Sequence, residues 1–282
     1  MKPQSTSATH RRSGFTILEL LIVITIIGIL SALLFYAFGG ALRTVAVTEV
    51  KAEFTQLESS MKKFESDYGV IPPSSIVLTE DPGATAWDVI SKSVLRKMFG
   101  SNVDFTQVVD FNNDGDTTDV ITLTSSECLL FFLGGMPDGT TGTTLTGFSA
   151  NKEKPFARGG DNRVDPQFTG FDSNRFIDED GDGMPEYRDL ATDLSVATIY
   201  ASSNNGQGYS DSDGSVAHFH QADGATAWNK NSFQLISPGA DGDFGFDEEP
   251  NPFVVLTWTD SSSATGAQSD NIANFAPGTM GQ

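Results

Sequence analysis

Hydrophobic positions along the chain follow three successive patterns. Residues 15–38, FTILELLIVITIIGILSALLFYAF, are apolar almost without interruption and carry a single charge, Glu19. At about 1.5 Å per residue, this run is long enough as a helix to cross a hydrocarbon core of about 30 Å. After Gly39 and Gly40 the pattern becomes periodic. Val50, Phe54, Leu57, Met61, Phe64 and Tyr68 recur at spacings of 4, 3, 4, 3 and 4, with Lys51, Glu53, Glu58, Lys62, Lys63 and Glu65 elsewhere around the helix. The two patterns together predict one helix from residue 15 to about 67, roughly 80 Å long, whose second half buries one face. Gly39 and Gly40 mark a bend or soft point, and Gly69 with Pro72 and Pro73 ends the helix.

The third pattern consists of short apolar runs between clusters of Gly, Asn, Asp and Ser. Residues 87–99 read as a helix with apolar positions at 87, 90, 94 and 98. Residues 125–133 read as another, capped by Thr124 with Glu127 three positions on, and ended by Gly134 and Gly135. Strands are predicted at 120–123, 196–200, 216–220, 233–236 and 253–258. The fold class is therefore α+β: a long N-terminal membrane-spanning α-helix packed on an antiparallel β-sheet.

Charge orients the chain. Lys2, Arg11 and Arg12 precede the apolar run and acids dominate the chain beyond it, so the positive-inside rule leaves the N-terminus cytoplasmic and exports the body. A cleavable secretory signal has a shorter apolar core ending in a small-residue site, whereas here the small residue, Gly14, comes before the run. Glu19 is the anomaly, since a carboxylate within an apolar span costs roughly 2.5 kcal/mol or more unless it is paired or close to the interface. A cut after Gly14 would make Phe15 the new N-terminus. Glu19 would then lie about 6 Å along the helix from that amine, and the amine of a neighbouring subunit could supply the counter-charge. The alternative is an ordinary anchor with a Glu snorkelling near its end.

The string Arg-Arg-Ser-Gly-Phe-Thr-Ile-Leu-Glu-Leu-Leu-Ile-Val-Ile at 11–24 resembles the class III signal of type IV pilins and type II secretion pseudopilins. The resemblance implies cleavage at Gly14 and Phe15 by prepilin peptidase, N-methylation of Phe15 and an assembly role for Glu19. It further implies identical or related pilin-like subunits and an inner-membrane assembly platform as partners, with the driving ATPase a separate chain. Residues 49–72, from Glu49 through Asp67, Gly69 and Pro72, resemble the second half of the long helix of the type II secretion major pseudopilin and its Asp-x-Gly-x-x-Pro turn. Tyr36 stands where many relatives carry a proline that kinks or melts the membrane helix.

The body is strongly acidic. The formal net charge of −20 becomes −23 on loss of a 14-residue leader that holds Lys2, Arg11 and Arg12 and no acid. Such a surface repels phosphate backbones, so no nucleic-acid partner is expected. Carboxylates alternating with Gly and Asn instead point to hard cations, calcium above all, against the alternative of solvated acidic turns. In one loop Asp178, Asp180, Asp182 and Gly183 are followed by Glu186 and Asp189 at the ninth and twelfth positions of an EF-hand-like pattern, with Pro185 and the terminal Asp as departures. In another, Asp110, Asn112, Asp114 and Asp116 begin the same pattern but reach Ile121 at the twelfth position, so further ligands must come from elsewhere. The third loop, 237–245, carries Asp241 and Asp243, with Asp247 beyond. It resembles the calcium-binding Ser-x-Gly-x-Asp-Gly loop of the major pseudopilin. Residues 270–275 resemble that family's closing Asp-Ile-x-Asn-Trp segment, with Phe275 for Trp and Asn271 where the family's Asp falls, so that Asp270 beside it is the candidate acidic ligand instead.

Cys128 is the only cysteine, so no intrachain disulfide forms. His218 and His220 would share one face of a strand, where zinc or copper is conceivable, although a polar strand face explains them as well. No nucleophile elbow or P-loop appears, and no enzymatic activity is expected. The organisation reads as a leader at 1–14, a transmembrane half-helix at 15–38, an exported half-helix at 39–73, an elaborated insertion at 74–232 and a C-terminal sheet and calcium loop at 233–282. The resulting expectation is a type II secretion pseudopilin that helps export proteins as a filament. It would be a single-pass inner-membrane protein with its body periplasmic or extracellular. The alternatives are a type IV pilus or competence pilin, and a membrane-tethered binding module or adhesin.

Overall fold

The computed structural model describes residues 16–138, 144–159, 162–192, 195–209, 217–221, 223, 225–245, 255–257 and 266–281, without side chains at 34–43, 255–257 and 266–267. The leader, Gly14 and Phe15 lie outside the described residues. The chain forms two compact units that divide between Val45 and Ala46. The first holds the beginning of helix α1, which runs Ile17–Tyr68 and includes Gly39 and Gly40. Every large apolar side chain of this unit from Ile17 to Leu33 is between 46% and 86% exposed.

The second unit is built around the later turns of α1. Val50, Phe54, Leu57, Met61 and Phe64 are each no more than 2% exposed, as their spacing predicted. Full burial of such side chains contributes about 1.5–3 kcal/mol each. After the turn at Gly69 (φ +74°) come β1 (Ser75–Thr79), α2 (Val89–Phe99) and β2 (Val120–Thr124), with β1 and β2 antiparallel in the register Ile76 opposite Leu123. Asp88 caps α2, its carboxylate accepting from the Ser91 amide at 2.7 Å. The buried helix α3 (Ser125–Gly134) follows β2 directly. Two hairpin pairs come next, β3 (Pro137–Asp138) with β4 (Thr144–Leu145) and β5 (Phe176–Ile177) with β6 (Glu186–Tyr187). The remaining strands are β7 (Ile199–Ser202), β8 (His218–His220), β9 (Phe233–Ser237), β10 (Val255–Thr257) and β11 (Ile272–Ala273).

The expected single antiparallel sheet is replaced by several small ones. Strands β11, β9 and β7 form a three-stranded antiparallel sheet, whereas β10 and β8 pair in parallel, with Val255 opposite His218. The reason is local: Gly-, Asn- and Asp-rich connections interrupt pairing after two to five residues, so no ladder grows long enough to unite the layers. Beside a smaller apolar cluster of Phe219, Ile236, Ala273, Ala276 and Met280 lies one main core. It runs from the α1 face through α2 and α3 to Ile272, and centres on Phe99, Phe111, Phe131, Phe148 and Phe156, most of whose ring contacts are edge-to-face.

Polar positions of α1 hold the rest of this unit. Glu53 takes a two-pronged contact from Arg175, Nη1 to Oε1 at 2.5 Å and Nη2 to Oε2 at 3.1 Å, and accepts from the Tyr187 hydroxyl at 3.1 Å. Lys51 Nζ donates to the carbonyls of Ala273 and Ala276, and Glu58 accepts from Asn274 Nδ2 at 2.9 Å. Burial pushes the Lys51 ammonium below its usual range.

Candidate functional site

At the start of α1, Thr16 stands just before the helix and Glu19 at its third position. The Thr16 amide and hydroxyl both donate to Glu19 Oε2 at 2.8 Å, and the Glu19 amide donates back to Thr16 Oγ1 at 3.2 Å. This reciprocal cap satisfies donors that a helix N-terminus otherwise leaves open. In the single chain Glu19 thus has a partner within its own first turn. Thr16 was not singled out from the sequence, although Thr-x-x-Glu is the legible signal for such a cap.

The loop between β5 and β6 gathers acids in two groups. Gly181 (φ +78°) and Gly183 (φ +84°) wind it so that their amides donate to Asp178 at 2.8 and 3.3 Å, while the Met184 amide donates to Asp182 at 2.8 Å. Asp178, Asp180 and Asp182 place oxygens within 4.8 Å of one another on the exposed side. Asp180 also belongs to an inner group, with Glu186 and Glu127 at the same mutual spacing. Glu127 is 2% exposed. Its Oε2 accepts from the Thr124 amide at 2.7 Å, completing the predicted N-terminal cap of α3, while its buried Oε1 has no hydrogen-bond partner. Burial, followed by the charges of Asp182, Glu186 and Asp180, pushes Glu127 up to about 9 despite the Thr124 bond. Burial likewise raises Glu186 to about 7 and Asp182 to about 6.

Asp189 does not join these groups. It is 2% exposed, and its carboxylate accepts from the Ala191 amide at 2.8 Å, Thr198 Oγ1 at 2.9 Å and Ser237 Oγ at 2.8 Å, which ties its turn to β9. An EF-hand loop returns its twelfth ligand on a helix. Here the chain enters strand β6 at Glu186, and an extended rise of about 3.3 Å per residue carries position 189 away. Glu127, 53 positions upstream of Asp180, takes the inner place instead. No sequence spacing announced it, because the same residue reads locally as a helix cap.

The 110–119 loop forms a different group from the one its spacing suggested. Asp116 meets Asp119 and Glu80 within 4.8 Å. Both oxygens of the buried Glu80 are held by amides, Phe111 at 2.6 Å and Asp119 at 3.3 Å. Asp110, Asn112 and Asp114 fold back on their own loop, accepting from the amides of Gly115, Asp114 and Asp116 at 3.2, 3.2 and 2.9 Å. Asn112 Nδ2 also donates to the Asp182 carbonyl at 2.9 Å, which fastens the two acidic loops together.

In the C-terminal loop, Asp270 is 4% exposed and its Oδ2 accepts from the amides of Ala240 and Asp241 at 2.9 and 3.3 Å. Gly239 (φ +75°) permits that approach, since a Cβ there would lie 2.4 Å from the Asp270 carbonyl oxygen. Asp241 is raised above the usual carboxylate range by burial and by the charges of Asp270 and Asp243. Asp243 accepts from the Gly245 amide at 2.7 Å, and Asp247 lies outside the described residues. On β8, His218 and His220 share a face as alternation predicted, their Nε2 atoms 3.1 Å apart. Among the described residues no third ligand-type side chain joins them in a group.

Residues 9–35 match the prokaryotic N-terminal methylation motif, a segment that includes Gly14, Phe15 and Glu19. The match indicates a pilin-type protein processed by prepilin peptidase. No curated protein and no solved structure gives a match. Among the described residues no helix is long and apolar enough to cross a membrane. The described side chains of the apolar run cover 16–33, and the run in the sequence extends to Phe38.

Proposed function

We propose that this protein is a structural filament subunit, cut after Gly14, methylated at Phe15, held in the inner membrane by its apolar run and assembled through α1. The observation that carries the reading is the state of 17–33. A helix whose large apolar side chains are 46–86% exposed makes up most of the segment, 9–35, that matches the methylation motif. Such a surface needs a lipid or protein environment to cover it, and a membrane followed by a filament core supplies both in turn. Glu19 would exchange the cap given by Thr16 for the amine of a neighbouring subunit on assembly.

Within this class the reading favoured is a type II secretion pseudopilin of the major type. What supports it is the C-terminal loop, where Asp241 and Asp270 come together around Gly239. Two acids so placed, with oxygen donors only, suit calcium. Intact-mass measurement of membrane-extracted protein is expected to give a chain beginning at methylated Phe15. Functional protein that retains Met1 would overturn the proposal.

A further inference from the structure

We propose that Glu127, Asp180 and Glu186 form a buried calcium site that joins the start of α3 to the acidic hairpin loop. It is distinct from the C-terminal loop and independent of the filament reading. Three oxygens within 4.8 Å of one another match what one ion can span at about 2.4 Å from each. The independent observation is Glu127 itself. A carboxylate 2% exposed keeps one oxygen on the Thr124 amide and leaves the other, Oε1, buried without a donor.

Burying an ionised group in this way is costly unless something compensates. Among the described residues no lysine or arginine forms an ion pair with Glu127, Asp180 or Glu186. A divalent cation would complete Oε1 and neutralise the carboxylates that face it. The donor set is all oxygen, which excludes a preference for soft metals. The irregular loop favours calcium, with its flexible coordination, over magnesium, which demands near-ideal octahedral geometry.

Neighbouring contacts make this site a tie point. Asn112 holds the Asp182 carbonyl, Glu186 opens β6, and Tyr187 and Arg175 lead on to Glu53 of α1. The exposed group Asp178, Asp180 and Asp182 is the outer mouth of the same loop and is not itself the site.

The test uses the full chain in detergent, with Asp241→Asn to remove the C-terminal loop, titrated with calcium alone and, separately, with magnesium. Glu127→Gln is the informative change, because glutamine keeps the cap to Thr124 while removing the charge. It is expected to weaken the tightest calcium event by at least about 10-fold, as loss of even an outer-shell partner does. In chelator the same variant should melt higher than its parent, since a neutral amide is less costly to bury than a side chain that is an ionised carboxylate in water, and its Tm should no longer rise on adding calcium. Asp178→Asn should leave the tight event in place. Should Glu127→Gln fail to fold, Glu186→Gln must show the same loss of calcium response. Retention of the tight event in either folded variant, absence of calcium binding in the parent, or an equal response to magnesium would overturn the assignment.

Discussion

Glu19 shows how one residue can serve two states of the chain. Its carboxylate caps α1 through Thr16, and the same oxygens would face a neighbour's amine in a filament. Two substitutions separate these roles. Glu19→Gln preserves the capping geometry and removes the charge, whereas Glu19→Val removes both. Both variants are expected to insert into the membrane at least as well as the parent, since a charge in an apolar span opposes insertion. Both should give markedly fewer sheared filaments. Normal filament yield from Glu19→Gln would mean that the cap, and not the counter-charge, is what assembly uses. The Thr-x-x-Glu spacing was legible in the sequence, as was the anomaly of a lone carboxylate. The opposite held for Glu127: its local role as a cap was legible, but its place beside Asp180 was not, because that pairing joins residues far apart in the chain.

At the scale of elements, the apolar period of α1 correctly marked the buried face. The sequence places Lys51, Glu53 and Glu58 only elsewhere around the helix, and in the structure they are residues that fasten later segments to it. The contact between Glu53 and Arg175 joins α1 to the β5–β6 hairpin, with the two side chains 13% and 8% exposed. Removing one partner of such a pair strands a buried charge. Arg175→Met is therefore expected to destabilise the chain by about 3–5 kcal/mol. The double variant with Glu53→Met should recover much of that loss, because burying two apolar side chains replaces the pair at little net cost. Urea denaturation of the two variants provides the check. Equal loss in single and double variants would mean that packing, and not charge, dominates this contact.

Taken whole, the molecule combines an exposed apolar helical stretch with a strongly acidic body, a combination suited to a subunit anchored at one end and assembled with others. If the secretion reading holds, removing the chain should abolish export of secreted proteins while leaving surface pili intact. Lost pili with normal secretion would assign it to a pilus instead. The sequence alone determined the processing motif, the long helix, its buried face and the Thr124 cap of α3. These are local features, set by spacings of three and four residues and by turn chemistry that neighbouring residues impose. Only the tertiary structure decided how the body is divided into small sheets, that β8 and β10 run parallel, and which acids meet. Asp189 left its loop for a buried bond to Ser237 and Glu127 took the inner place, because burial and long-range packing select among carboxylates that look equivalent along the chain.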